Sequence, residues 1–401
     1  VPKTTIQDLG PLEGSKVLIR VDFNVPLDKK TGAIKNDRRI RSAVPTIRAL
    51  LDRGAAVIAM THVGRPSGDP AKDAVLTTDR IAARLGELLG QPVPKVGGAP
   101  VVGADVVRAA AALTGGQVLM LENLRFDPRE QKNDAEFAAQ LAGFADVYVN
   151  DAFGACHNDK DASMVAVPAA FKAAGRPRAV GLLVAKELDV IDGLMSAPKR
   201  PVLSVMGGAK VSDKMNFIRA LLAKVDALLI GGKMGYAFLK AQGHSVGAMA
   251  ISDEEIAAAN NLLPFVGSKI TLPVDTLACR ADDLTKTEVF EGAIGDGFEG
   301  VDIGPRTIAL YTDKIASAGT VIWNGPVGWF EQPAFSVGTR KIAEALATCP
   351  GVTVVGGGET AEAVEQFGLD GKMTHVSTGG GAFLAYVEGK KFASLAQIEE
   401  R

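Results

Sequence analysis

Three cysteines among 401 residues, Cys156, Cys279 and Cys349, are too few and too widely spaced for a disulfide framework. Their odd number and separation also lack the paired spacing of a cysteine-bound metal site. Aromatic side chains make up only 5% of the chain, so its cores must be built from Val, Leu, Ile and Ala. Excess charge is nearly absent: 46 acidic residues against 44 basic ones leave a net −2. Such a chain has no overall field to draw it to nucleic acid or to an anionic membrane, and any anionic ligand must meet a local cluster of cations. No apolar run approaches the roughly 18 residues of a membrane span. The N-terminal residues lack the charged-then-apolar pattern of a secretory signal. The cysteine usage suits a reducing compartment, and the cytoplasm is the expected location.

What remains is an ordinary globular composition, 47% apolar and 22% charged, in a chain too long for one core of common size. Short β-rich runs alternate with Ala- and Leu-rich amphipathic stretches. Strands are expected at 17–21, 56–61, 117–121 and 146–150, then at 201–206, 227–230, 269–274, 320–323, 352–355 and 373–376. Helices are expected between them at 42–53, 78–89, 134–143, 214–223, 253–261 and 336–347. This alternation builds parallel sheets covered by helices on both faces. The segment Leu182–Met195, flanked by Pro177 and Pro198, reads as a helix between two lobes. The expected fold class is α/β: two Rossmann-like domains, each a mostly parallel sheet flanked by helices, joined by that helix, with a cleft between. Ligands of such sheets gather at the carboxyl ends of the strands.

The two halves end their strands in different chemistry. In the first, Val17-Leu18-Ile19-Arg20-Val21-Asp22-Phe23-Asn24-Val25-Pro26 alternates from Arg20 onward. That period puts Asp22 and Asn24 on one face, where Pro26 stops the pairing and where a carboxylate and an amide can orient a hydroxylated ligand. His62-Val63-Gly64-Arg65-Pro66 and Leu121-Glu122-Asn123-Leu124-Arg125-Phe126 follow two further strands. Arg39, His62 with Arg65, and Arg125 thus come from three separate segments that adjacent strands can bring together, and guanidinium forks suit phosphate or carboxylate. Taken singly, each is more simply a solvated arginine or a strand-end histidine. Their joint placement is what points to a ligand.

The second half ends its strands in glycine. Ser204-Val205-Met206-Gly207-Gly208-Ala209-Lys210-Val211-Ser212-Asp213-Lys214 reads as strand, glycine turn and helix start. Glycines let the backbone approach phosphate oxygens, and Lys210 and Lys214, four apart, share a face if they are helical. Further turns are Gly231-Gly232, Trp323-Asn324-Gly325-Pro326-Val327-Gly328-Trp329-Phe330-Glu331 and Gly356-Gly357-Gly358. Ser377-Thr378-Gly379-Gly380-Gly381-Ala382 ends a strand and opens a helix, so free N–H groups there can face phosphate.

With these motifs, from about Val17 to the end of the chain, the sequence resembles the phosphoglycerate kinases. The resemblance implies reversible, Mg2+-dependent phosphoryl transfer between ATP and 3-phosphoglycerate, giving 1,3-bisphosphoglycerate and ADP. It implies a substrate site of Asp22, Phe23, Asn24, Arg39, His62, Val63, Gly64, Arg65, Arg125, His157 and Asn158. In it Asp22 and Asn24 face the glycerate, His62, Arg65 and Arg125 hold the phosphate, and Arg39 stabilises the phosphoryl group in flight. It implies a nucleotide site of Gly208, Ala209, Lys210, Lys214, Gly232, Gly300, Val301, Asn324, Pro326, Glu331, Gly357, Gly358, Glu359 and Thr360. There Glu331 meets the ribose, Gly300 and Val301 the adenine, Lys214 the transferred group, and Glu359 the magnesium ion; Gly379 and Gly380 assist the transfer through backbone amides. By the same resemblance, residues 1–178 form the 3-phosphoglycerate-binding domain, 179–197 the connecting helix, and 198–385 the nucleotide-binding domain. Residues 386–401 form a tail that packs back on the first domain, and a monomer is expected.

This chain departs from the family pattern in three places. After Asp151-Ala152-Phe153-Gly154 the family runs His-Arg-x-His, whereas this chain has His157 and then Asn158, in a loop one residue longer. Lys160 offers a flexible point charge there, not a fork. A third family glycine after Gly231-Gly232 is Lys233, and the metal-binding aspartate is Glu359, one methylene longer with the same hard oxygen ligand. Gly295, Gly297 and Gly300 fit a dinucleotide fingerprint on spacing alone, with no clear helix to follow. Two alternatives stay open: a kinase of another small carboxylic acid on the same scaffold, or a catalytically weak nucleotide-binding homologue.

Overall fold

The computed structural model describes residues 2–28 and 30–401. Val1 and Lys29, both within the span 1–178, lie outside the described residues. The chain divides into two compact units: one runs to Asp189 and takes up Lys391–Arg401, and the other is Val190–Lys390. The division falls inside the helix Leu182–Ser196.

The first unit contains six strands: β1 (Lys16–Val21), β2 (Ala56–Met60), β3 (Lys95–Val96), β4 (Val118–Leu121), β5 (Val147–Asp151) and β6 (Arg178–Val180). They form one sheet in the order β3-β4-β2-β1-β5-β6, every pair parallel. Continuous apolar runs suit strands covered on both faces, and Val17, Leu18, Ile19 and Val57 through Met60 are all buried. The helix Arg38–Leu51 lays Ile40, Ala43, Ile47 and Leu50 into the same core as Ile81 and Leu85 of the helix Asp79–Leu89. The first of these starts four residues before the expected 42, which brings Arg39 into its opening turn. Residues after Lys391 join this unit: Thr4 N–H donates to the Glu399 carbonyl, Arg178 Nε to that of Gln397 and Ser394 Oγ to that of Cys156, each at 2.8 Å.

In the second unit a six-stranded parallel sheet comprises β7 (Val202–Met206), β8 (Ala227–Ile230), β9 (Ile270–Thr271), β13 (Thr320–Asn324), β14 (Val352–Gly356) and β15 (His375–Val376). Between β9 and β13 the chain forms β10 (Thr276–Arg280), β11 (Asp283–Phe290) and β12 (Phe298–Ile303), a separate antiparallel sheet in the order β11-β10-β12. The large sheet runs β15-β14-β13-β7-β8-β9. Counted within the unit this is the doubly wound order, and its direction of winding reverses between β7 and β13, where ligands of such sheets bind. Trp323, Tyr311, Ile342 and Val355 are buried in its core.

Candidate active site

The charged residues of the first unit gather at the carboxyl ends of β1, β2 and β4. Arg20, on β1, is fully buried. Its Nε donates to Ser163 Oγ at 2.8 Å, its Nη1 to the Val21 carbonyl, and its Nη2 meets His62 Nδ1 at 2.9 Å. A guanidinium can only donate, so Nδ1 accepts and Nε2 carries the imidazole proton. Burial, reinforced by the Arg20 charge, pushes His62 down to about 3. His62 therefore offers a neutral N–H, not a cation.

The strand β1 stops at Val21, so Asp22 and Asn24 do not share a strand face as the alternation led one to expect. Phe23 N–H donates to Thr61 Oγ1 at 2.9 Å, and the Phe23 ring is buried. That tether takes 22–24 out of the ladder. Asp22 Oδ2 instead accepts from Arg39 Nη1 at 2.8 Å, and Asn24 Oδ1 from Gly64 N–H at 2.8 Å. Burial alone would raise Asp22, but the Arg39 and Arg20 charges outweigh it and hold the carboxyl below its usual range. Gly64 adopts φ +60°, and a Cβ there would lie 2.8 Å from Leu76. Its carbonyl accepts from Arg125 Nη1 at 2.8 Å. Buried Asn123 clasps Val63 through both its N–H (3.0 Å) and its carbonyl (2.8 Å). Arg65 and His157 are exposed, while Asn158 Nδ2 is tied to Asp161 Oδ2 at 3.0 Å. The helix carrying Arg39 has no acid in its first turn and opens with Arg38 and Arg39.

In the second unit two turns interlock at the point where the winding reverses. Gly207 N–H donates to the Asn324 carbonyl and Gly208 N–H to that of Pro326, both at 3.0 Å. A Cβ on Gly207 would lie 2.0 Å from the Pro326 carbonyl oxygen, so only glycine fits. Lys214 Nζ donates to the Gly207 carbonyl at 2.9 Å and to Asn324 Oδ1 at 2.7 Å. Burial pushes this ammonium down to about 8. The other end of the Asn324 amide, Nδ2, is buried without a partner. Gly325 N–H donates to Thr360 Oγ1 at 2.7 Å, which fastens this turn to the helix Gly358–Gln366.

Beside the turns lies a pocket of about 380 Å³ lined by Gly208, Ala209, Gly232, Gly300, Val301, Pro326, Glu331 and Glu359 among others. Tyr236 packs on Gly300, where a Cβ would come within 2.3 Å of the ring. Trp329 N–H donates to the Val301 carbonyl at 2.7 Å, which ties the 323–331 segment to β12. Among the described residues no three acids, histidines or cysteines cluster as a metal cage. Glu359, in the first turn of its helix and on the pocket wall, is a single hard oxygen ligand. That fits Mg2+, which is held by one or two carboxylates together with a substrate's phosphates.

A family model described as phosphoglycerate kinase matches residues 6–390. The chain belongs to the phosphoglycerate kinase family. It is 48% identical to the phosphoglycerate kinase of Rhodopirellula baltica, over 99% of each chain. It is 46% identical to that of Rubrobacter xylanophilus, over 100% of this chain and 99% of the relative. Among solved structures, the Coxiella burnetii phosphoglycerate kinase superposes with a TM-score of 0.83 at 35% identity, covering 99% of this chain and 98% of its own. The Pyrococcus horikoshii enzyme gives 0.86 at 30% identity, covering 98% of both. Phosphoglycerate kinases are phosphotransferases that act on a carboxyl group, and the two-sheet α/β architecture is theirs.

Two expectations about this family's anion sites need correction in this chain. Lys210 and Lys214 do not share a helical face: Lys210 is exposed ahead of the short 3-10 turn Ser212–Lys214, and the following helix begins only at Met215. The two glycines at its start, Gly207 and Gly208, turn the chain before a helix can form. Gly379 does not present a free amide, because its N–H donates to Ser377 Oγ at 3.0 Å. Gly380, at φ +46°, caps the helix Gly381–Val387. The fingerprint-like Gly295 and Gly297 precede antiparallel β12 and Gly300 lies within it, so they do not form a strand-to-helix turn. Sequence reasoning missed Arg20, Asn123, Glu130 and Asp161 in the first unit, and Tyr236, Cys279, Leu284 and Trp329 on the pocket wall. An arginine between apolar neighbours in β1 was the available signal for Arg20.

Proposed function

We propose that this chain is a phosphoglycerate kinase in activity as well as family, transferring the γ-phosphoryl group of ATP reversibly to the carboxylate of 3-phosphoglycerate. The observation that carries the reading is the nature of the two sites. One unit holds arginines and a neutral imidazole N–H beside Asp22 and Asn24. The other holds a buried lysine and glycine turns at a doubly wound switch point.

In this reading Asp22 and Asn24 face the glycerate hydroxyl, with Phe23, Val63 and Gly64 as the backbone frame. His62 Nε2–H, Arg65 and Arg125 hold the substrate phosphate, with His157 and Asn158 at its edge. On the nucleotide side Gly300 and Val301 meet the adenine and Glu331 the ribose. Gly208, Ala209, Lys210, Gly232, Asn324, Pro326, Gly357, Gly358 and Thr360 border the phosphates. A carboxylate is already ionised at neutral pH, its reference pKa being about 4, so no general base is needed. The barrier is repulsion between two anions, and catalysis consists of positioning and neutralising charge. Arg39 and Lys214 neutralise the phosphoryl group in transit, with Gly379 and Gly380 at the edge of that site. Glu359 holds Mg2+, which supplies further neutralisation of the nucleotide phosphates. The acyl phosphate product hydrolyses readily, so water must be kept from it during transfer. We also propose that the protein works as a monomer in the cytoplasm, a reading supported by its three free thiols.

The test is a coupled assay with Mg-ATP and a panel of phosphorylated acids, together with size-exclusion chromatography. The reading expects 3-phosphoglycerate to have the highest kcat/KM. Preference for another acid would replace the substrate, and binding of both ligands without turnover would favour a catalytically weak homologue.

A further inference from the structure

The first unit's anion site contains a carboxylate in an unfavourable place. Asp161 is 4% exposed. Its Oδ2 accepts the Asn158 amide at 3.0 Å and lies 3.9 Å from Arg125 Nη2. Among the described residues, the Arg125 guanidinium is otherwise held only by Nη1 on the Gly64 carbonyl, and its Nε is buried with no partner. A second buried acid, Glu130, lies close by and accepts the Ser163 N–H at 3.0 Å. Burial works against the Arg125 charge and Asp161 works for it, so the carboxylate acts as a resident counter-ion of the guanidinium. The Asn158 amide, where the family pattern has an arginine, has a donor committed to the same carboxylate.

We propose that Asp161 sets the affinity and selectivity of this site: it competes with the substrate's phosphate for Arg125 and ties up the Asn158 donor. The incoming phosphomonoester must displace a carboxylate, not fill a vacant fork. Like charges a few ångströms apart in a poorly screened site repel strongly, and a dianion is penalised more than a monoanion. The inference rests on the reading that 3-phosphoglycerate binds here, and it makes Asp161 a positioning residue that acts through Arg125.

Asp161→Asn keeps an acceptor for the Asn158 amide while removing the charge. In the full-length protein it is expected to lower KM for 3-phosphoglycerate about tenfold, with a smaller change in kcat and none in KM for Mg-ATP. Inorganic phosphate titrated calorimetrically into the nucleotide-free protein should bind tighter by a similar factor, and Asp161→Glu should behave as the parent. An unchanged or weaker phosphate affinity in Asp161→Asn overturns the proposal. Asn158→Ala loosens the loop without removing the charge; if it lowers KM as much as Asp161→Asn does, loop order and not charge is responsible, and the proposal also fails. Absence of turnover of 3-phosphoglycerate by the parent protein would instead overturn the reading beneath it, while the phosphate titration would still decide the role of Asp161.

Discussion

Nucleotide binding should take up a proton at Lys214. Its ammonium is held by the Gly207 carbonyl and Asn324 Oδ1 but is largely cut off from water, which pushes it down to about 8. A polyphosphate placed beside it restores the charged form and returns the group toward its ordinary value of about 10.4. Linkage then fixes the stoichiometry. Uptake on ADP binding should rise from about 0.1 proton at pH 7 to about 0.5 at pH 8 and about 0.9 at pH 9. Affinity should fall toward tenfold per pH unit above pH 8. Calorimetric titration of ADP with chelator present, in two buffers of different ionisation enthalpy, measures the uptake directly. Lys214→Met should abolish it and weaken binding. The same shift has a stability consequence of known sign. The folded pKa lies below the unfolded one, so the penalty is fully present below pH 8 and is relieved as pH rises from 8 to about 10.4. An uptake near zero at pH 8, or one that persists in Lys214→Met, would refute the placement of this lysine against the phosphates.

Other consequences are open to measurement. His62→Gln keeps a neutral N–H donor, so it should retain much of the 3-phosphoglycerate affinity, and in the parent protein KM should show no step between pH 5 and 8 attributable to an imidazole. A clear step there would contradict the neutral tautomer. Burial pushes Asp151 up to about 7, against the Thr46 hydroxyl and the Leu183 and Val184 N–H groups that favour its charged form. Its folded pKa lies above the unfolded one, so its unfavourable contribution grows as pH rises from about 4 to 7, by about 1.4 kcal/mol per unit. Asp151→Asn should therefore raise Tm relative to the parent by more at pH 8 than at pH 5, as read by calorimetry; an equal shift at both would reject this. Gly207→Ala drives a methyl into the Pro326 carbonyl and should weaken ADP binding at least tenfold while leaving 3-phosphoglycerate binding intact.

The alternation of apolar runs and amphipathic stretches made the parallel sheets legible, since strands buried on both faces read as continuous Val, Leu and Ile. The antiparallel sheet was not legible, because β11 is Asp283-Leu284-Thr285-Lys286-Thr287-Glu288-Val289-Phe290, exposed over most of its length and without an apolar run. Short β3 and β6 left too little pattern to read. At the site, residue types and approximate positions were visible but their partners were not. Arg20 reaches Ser163 and His62 across 143 and 42 residues. No local pattern encodes that His62 is thereby neutral. The misreading of Asp22 and Asn24 has the same origin: a hydrogen bond from Phe23 to distant Thr61 overrides the period of the strand.

The central claim is that turnover depends on cations that neutralise a phosphoryl group in transit, with no base to activate the acceptor. Arg39 is the most direct handle, because its Nη1 is anchored on Asp22 while the rest of the guanidinium is partly exposed. Steady-state kcat of Arg39→Ala, with calorimetric affinities for 3-phosphoglycerate and Mg-ADP on the same protein, measures the claim. The account predicts a fall in kcat of about 10³-fold or more with both affinities within about tenfold of the parent. A variant that binds both ligands and turns over at near the parent rate would contradict it.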